Sequence, residues 1–200
     1  MSRVRADDYD DKKQDILDQA ACLFAEKGFQ STSMIDVANA CGASKSRLYH
    51  YFSSKEEVLY AIASEHTQSL HAELAAVATL PLPAEERFAR FVTSFVQRAA
   101  DSRHEHLVLM KDVAFLPDNR RNQLLKLEGK IVEVLVGLLE EINPGLLKPV
   151  KVKTPYAMLL FGMLIWTFTW YEKSGTMTPE ELALRISKLF LTGFKDSTFP

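Results

Sequence analysis

Apolar residues return at helical spacing along almost the entire chain, and nowhere does an alternating strand pattern replace them. The spacing of Ile16, Ala20, Leu23 and Phe24 predicts a helix from about Asp10 to Lys27, stopped by Gly28. Met34, Val37, Ala38 and Cys41 follow the i, i+3, i+4, i+7 pattern of a short helix that ends at Gly42; Leu48 and Phe52 mark the buried side of the next. Val58, Leu59, Ile62, Leu70, Leu74 and Val77 extend one uninterrupted helix from Ser54 to about Ala78, opened by Ser54-x-x-Glu57 as a capping box. Pro81-Leu82-Pro83 breaks it, because proline cannot continue a helix and restricts the residue before it.

Beyond the break, Phe88, Phe91, Val92, Phe95, Val96 and Ala99 form one stripe of a helix from about Pro83 to Ala100. A shorter helix is expected over Glu105 to Leu116, and a longer one over Arg120 to Glu141 with Leu124, Leu127, Ile131, Val134, Leu135 and Leu138 inward. From Tyr156 to Tyr171 sixteen residues run almost without polar interruption inside a helix expected over Lys151 to Glu172. That is short of the ~20 residues that cross a bilayer, so the run reads as a helix buried all round, one side of it needing a partner outside its own domain. Thr178-Pro179-Glu180-Glu181 is a capped start with proline at the first helical position, for a last helix to about Phe194. The pattern therefore predicts an all-α chain of about nine helices, three small ones at the N-terminus and six longer ones.

Charge changes the picture at one place. The chain of 200 residues has a formal net charge of −2, and residues 1–55 hold eight basic and eight acidic side chains. Between Val37 and Lys55, however, Lys45, Arg47 and Lys55 occur with no acid at all. A slightly acidic protein has no general attraction for a polyanion, so a local acid-free helix would have to supply it. Ser44 can cap that helix, and Lys45, Ser46, Arg47 and His50 project from a rod about 10–12 Å across toward a major groove about 12 Å wide. Tyr49 and Lys55 are candidate phosphate contacts. The alternative is a packed helical hairpin with solvated charges. The acids of this region must either face away from DNA or cluster at the first helix's positive N-terminal end, and Asp7, Asp8, Asp10 and Asp11 are expected to do the latter. Arg3 and Arg5 are either a minor-groove arm or a frayed terminus.

The residues of this region also form a continuous motif: Ile16-Leu17, Ala20, Leu23-Phe24 and Gly28-Phe29, then Thr32-Ser33-Met34 and Asp36-Val37-Ala38, Gly42-Ala43-Ser44-Lys45, Leu48-Tyr49-x-Tyr51-Phe52 and Lys55-Glu56. This run resembles the DNA-binding domain of TetR-family transcriptional regulators. Ser46-Arg47 departs from the commoner Gly-Thr pair, and Tyr51 stands where many members have His. The resemblance implies a helix-turn-helix that reads an operator, with Thr32, Ser33, Ser44, Lys45, Ser46, Arg47, Tyr49, His50 and Lys55 as the DNA-binding set. It implies residues 8–54 as the DNA-binding domain, joined by a long helix to an effector-binding and dimerisation domain over 55–200 whose last helices build a four-helix dimer bundle. The implied partners are a palindromic double-stranded operator, a second copy of the chain and a small-molecule effector.

Phe88, Phe91, Phe95, Met110, Phe115, Met158, Phe161, Trp166 and Trp170 are the candidates to line an effector cavity, against the plainer reading that they are core and interface. Trp170-Tyr171, Gly175 and Pro179-Glu180-Glu181-Leu182-Ala183 resemble a stretch of regulators of fatty-acid and acyl-CoA metabolism, and Arg87, Arg90, Arg98, Arg120 and Arg121 are available for phosphates. His104-Glu105-His106 does not share a helix face and is expected to hold no metal; no cofactor is expected, and no nucleophile or phosphate-loop motif points to an enzyme. Cys22 and Cys41 at apolar positions, and the absence of an apolar run at the N-terminus, suit reduced thiols in the cytoplasm, away from membranes. The expected function is a ligand-responsive repressor released by a small apolar effector, with an acyl-CoA-like molecule as the candidate; the alternative is a DNA-binding module that recruits a partner protein through its apolar C-terminal helices.

Overall fold

The computed structural model describes residues 2–171 and 175–196, with side chains from residue 9 onward. Among them are nine α-helices and no strand: α1 (Ser2–Lys27), α2 (Met34–Ala40), α3 (Lys45–Tyr51), α4 (Lys55–Ala78), α5 (Ala84–Asp101), α6 (Arg103–Asp112), α7 (Asp118–Ile142), α8 (Val150–Trp170) and α9 (Pro179–Phe194), with a 3-10 turn at Val113–Phe115. No described helix is long and apolar enough to cross a membrane.

Two glycines do what the pattern requires of them. Gly28 and Gly42 take φ of 85° and 58°, the left-handed region that a side chain disfavours, and so end α1 and turn α2 into α3. Serine and threonine start helices by accepting amide protons: Ser33 from Asp36, Ser44 from Arg47, Thr178 from Glu181. The box at α4 is shared between two serines, since the Glu57 amide donates to Ser54 Oγ at 3.2 Å while the Glu57 carboxylate turns back to Ser53.

One boundary differs from expectation. Helix α1 begins eight residues earlier than the apolar pattern suggests, because residues 2–9 contain neither glycine nor proline to stop propagation. Its first turn holds no acid, so Asp10 and Asp11 do not serve the helix dipole. The side chains of Arg3, Arg5, Asp7 and Asp8 lie outside the described residues.

By compactness the chain divides into two units: residues up to His66 with His104–Leu124, and Thr67–Arg103 with residues from Leu125 onward. The division differs from a cut at residue 54, since the first unit also takes the start of α4 and the α6 segment. In the first unit Ile16, Ala20 and Phe24 of α1, Val37 and Ala38 of α2, Leu48 of α3 and Val58 and Leu59 of α4 are all buried. In the second, the α5 stripe expected from spacing, Phe88, Phe91, Val92, Phe95, Val96 and Ala99, is wholly buried. It joins Leu135, Leu138 and Leu139 of α7, Leu160, Phe161 and Leu164 of α8, and Ala183 and Ile186 of α9 in one core. Each of the fully buried phenylalanines contributes about 1.5–3 kcal/mol by leaving water.

Candidate nucleic-acid interface

Helix α3 is fastened by one side and bare on the other. Leu48 is 0% exposed, while Ser44, Lys45, Ser46, Arg47, Tyr49 and His50 are all exposed. The seven residues of α3 could not hold a helix in isolation, so the burial of Leu48 and the Ser44 cap, which accepts the Arg47 amide at 3.2 Å, carry its geometry. Lys45 Nζ lies 5.7 Å from the Tyr49 ring centroid, a loose cation–π contact that leaves the ammonium in water.

Beside this face is a concavity of about 510 Å³ lined by Tyr9, Lys12, Ser44, Ser46, Arg47, His50 and Tyr51. Tyr9 of α1 packs against Tyr51 at 4.6 Å between centroids and meets the His50 ring edge-on at 6.2 Å. Tyr9, Lys12 and Tyr51 are absent from the set read from sequence. Tyr9 was hidden because the apolar spacing starts the helix after it, and Lys12 because it sits in a run of acids; neither carries a local signal. The lining offers hydroxyl, ammonium, guanidinium and imidazole donors without a carboxylate, the chemistry that phosphates and base edges accept.

Three residues of the expected set have other work. Thr32 is 1% exposed, and its hydroxyl donates to the carbonyls of Gly28 at 3.0 Å and Leu23 at 3.4 Å, so it closes the α1–α2 turn and does not face a ligand. Lys55 Nζ donates to the Phe29 and Thr32 carbonyls, each at 2.7 Å, and lies 4.3 Å from the Phe29 ring centroid. Its ammonium is spent on two carbonyls of that same turn, Phe29, which also accepts the Thr32 amide at 3.3 Å, and Thr32, and not on phosphate. Ser33 is exposed, yet its hydroxyl and amide are engaged with Asp36, whose carboxyl they hold below the usual carboxylate range. This Ser33–Asp36 capping box is a local signal, a serine followed three residues later by an acid.

The nine effector candidates do not converge on one cavity. Phe88, Phe91, Phe95 and Phe161 are core of the second unit, with Phe95 5.7 Å from Phe161 and 6.4 Å from Phe168. Met110 and Phe115 belong to the first unit, where Phe115 stacks on Phe29 at 5.4 Å. Met158, Trp166 and Trp170 are exposed on α8, Trp166 at 67%. Trp170 with Tyr171, Gly175, Thr176 and Met177 lines a concavity of about 300 Å³. The correction has a simple cause: helical spacing identifies aromatic residues that leave water, but not whether packing, a cavity or another chain receives them.

The five arginines are likewise engaged. Arg87 reaches the Ala78 carbonyl at 2.6 Å and pairs with Glu141; Arg90 pairs with Glu86 at 2.9 Å. Arg98 donates to Ser69 at 2.6 Å and lies 3.4 Å from Glu73. Arg120 stacks 4.4 Å over Tyr60, and Arg121 pairs with Asp118.

His104 and His106 part company. His104 is exposed, whereas His106 is buried with its ring 5.7 Å from that of His66. Burial, and then the neighbouring His66, push the His106 pKa down to about 3. Cys41 is pushed up to about 11 by burial and then by Asp15, an unreactive thiol.

Residues 16–62 match the model for "Bacterial regulatory proteins, tetR family", and residues 81–194 that for "Tetracyclin repressor-like, C-terminal domain". A TetR-family transcriptional regulator from Bordetella parapertussis is 34% identical, with a TM-score of 0.86 over 94% of this chain and 98% of that one. The transcriptional repressor KstR2 of Rhodococcus jostii is 28% identical over 96% of this chain and 97% of its own. AibR, solved in complex with isovaleryl coenzyme A and operator DNA, is 25% identical, with a TM-score of 0.78 over 92% of this chain and 98% of that one. The C-terminal match alone spans more than half of the 200 residues, and so this chain belongs to the TetR family of DNA-binding transcriptional regulators.

Proposed function

We propose that the protein is a non-enzymatic, cytoplasmic homodimeric repressor that α3 places on a palindromic operator and that a small acyl-coenzyme A thioester removes from it. The observation that carries the DNA half of this reading is the acid-free face Ser44–Lys45–Ser46–Arg47–Tyr49–His50, exposed while Leu48 anchors its reverse side. On this reading Arg47 and His50 address base edges, and Tyr49 and Lys45 address phosphates. Residues 8–54 are the DNA-reading part and 55–200 the effector and dimerisation part.

The dimer half rests on α8 and α9. Met158, Leu159, Trp166 and Trp170 are exposed along α8, and Leu184 and Leu189 along α9. So many large apolar side chains standing in water on adjacent helices mark a surface that another protein covers, and two copies joined there would repeat α3 at half-sites about 34 Å apart.

The effector class is supported by AibR, solved with isovaleryl coenzyme A. A ligand that favours the DNA-incompetent arrangement lowers operator affinity by its differential affinity for the two states. Fluorescence anisotropy on a selected operator tests this. Addition of short-chain acyl-CoA thioesters should release the DNA, and Arg47→Ala should cost about 1–3 kcal/mol on that operator but not on random duplex. Operator binding indifferent to every acyl-CoA and free acyl acid would favour instead a ligand-independent module that recruits a protein through the α8 face.

A further inference from the structure

Cys22 and Glu26 stand one turn apart on α1, and His104 opens α6 against them. The Cys22 sulfur, a Glu26 carboxylate oxygen and a His104 ring nitrogen all lie within 4.8 Å of one another. We propose that these three side chains bind a thiophilic divalent transition-metal ion of the zinc type, which staples α1 to α6.

The donor set selects the ion. A thiolate and an imidazole suit zinc and its first-row neighbours and exclude magnesium and calcium, which take oxygen. Zinc bonds of about 2.0–2.3 Å place tetrahedral ligands about 3.3–3.7 Å apart, so no pair of the three atoms needs to close by more than about 1.5 Å. Side-chain rotation supplies that, since Glu26 and His104 are exposed and Cys22 is half-buried. The i, i+4 spacing of Cys22 and Glu26 already puts both on one helix face. Exposure leaves the fourth position to water. The thiol gives up its proton to solvent as the sulfur–metal bond forms, and the carboxylate offsets the remaining charge. Among the described residues no other group of three such ligands converges, so the cluster is not one of many chance acidic neighbourhoods. The partners of His104 are not His106 but residues 78 and 82 positions earlier in the chain (104 − 26 and 104 − 22), beyond any local motif.

The test needs no DNA and does not depend on operator reading. Chelator-stripped full-length protein is titrated with Co²⁺, then with Zn²⁺ as competitor, and its melting temperature is followed with and without Zn²⁺. One Co²⁺ per chain with a thiolate-to-cobalt charge-transfer band, displaced by Zn²⁺, is expected, together with a Zn²⁺-dependent rise in melting temperature. Cys22→Ser should abolish the band. Glu26→Gln and His104→Asn should weaken binding at least about tenfold, since loss of even an outer-shell partner commonly costs that much. All three variants should keep wild-type helix content by circular dichroism. No band, equal affinity in wild type and His104→Asn, or a melting temperature that ignores Zn²⁺ in the wild type would each overturn the site.

Discussion

Helices α3 and α8 both leave one side uncovered, and they do so with opposite chemistry. The bare side of α3 carries Lys45, Ser46, Arg47 and His50 and is seven residues long, held by a single deep leucine. That of α8 carries Met158, Leu159, Trp166 and Trp170 on a helix of 21 residues, whose other side is buried through Ala157, Leu160, Phe161, Leu164 and Phe168. The difference identifies what each side awaits. Donors and cations in water lose little by staying there and gain only when a polyanion meets them, so binding at α3 is expected to be salt-dependent and reversible. Large apolar groups in water carry a standing cost that only burial removes, so a partner at α8 is expected to stay.

The strongest way to break the contrast is to cut the anchor of α3. Leu48→Ala should lower stability by about 2–5 kcal/mol in chemical denaturation, because the site is fully enclosed and the helix too short to reseat. A loss below 1 kcal/mol would mean that the α3 face is not preorganised. Next, Trp166→Glu should convert dimer to monomer in sedimentation velocity at micromolar protein while leaving helix content intact, about 2 kcal/mol or more for an aromatic hot spot. A variant that stays dimeric would move the interface off α8.

Lys55→Met sharpens the comparison by removing a cation that is not on the reading face. It leaves the Thr32 carbonyl without its Lys55 donor and the Phe29 carbonyl with only the Thr32 amide at 3.3 Å, and should cost about 1.5–3 kcal/mol of stability. The salt dependence of DNA binding should be unchanged; a flatter slope would return Lys55 to the phosphate contacts.

The smallest effect concerns pH. His106 is held uncharged in the fold, so the unfolded state binds the extra proton below about pH 6.5. Its stabilising contribution is complete above that pH and falls on acidification toward 3, by at most about 1.4 kcal/mol per pH unit. Asp112 and Glu128, both raised by burial, work in the opposite direction. His106→Leu isolates the histidine: its stability between pH 6.5 and 5 should be flatter than that of the wild type, and parallel curves would contradict the buried neutral imidazole.

Much of this architecture is legible in the chain because helices announce themselves locally. The α5 stripe, the Thr178–Glu181 cap with Pro179 at the first position, and the left-handed Gly28 and Gly42 follow from spacing and backbone sterics alone. So does the outward face of α3, since a seven-residue helix with one buried leucine has few faces to offer. What stayed hidden depends on contacts between distant residues. Lys55 looks like a phosphate ligand until the carbonyls of Phe29 and Thr32 are seen beneath it. Tyr9 looks like a terminal residue until it packs on Tyr51. Aromatic spacing could not distinguish Phe161, a core residue, from Trp166, five positions later and in water.

The most direct trial of the reading is the stoichiometry of the protein on its selected operator, by sedimentation velocity with labelled duplex. Two chains should load onto one inverted repeat at half-sites one helical turn or a multiple apart. Trp166→Glu should abolish that species, and Arg47→Ala should weaken it by about 1–3 kcal/mol. One chain per duplex, or loading with no preference between operator and random DNA at moderate salt, would contradict it.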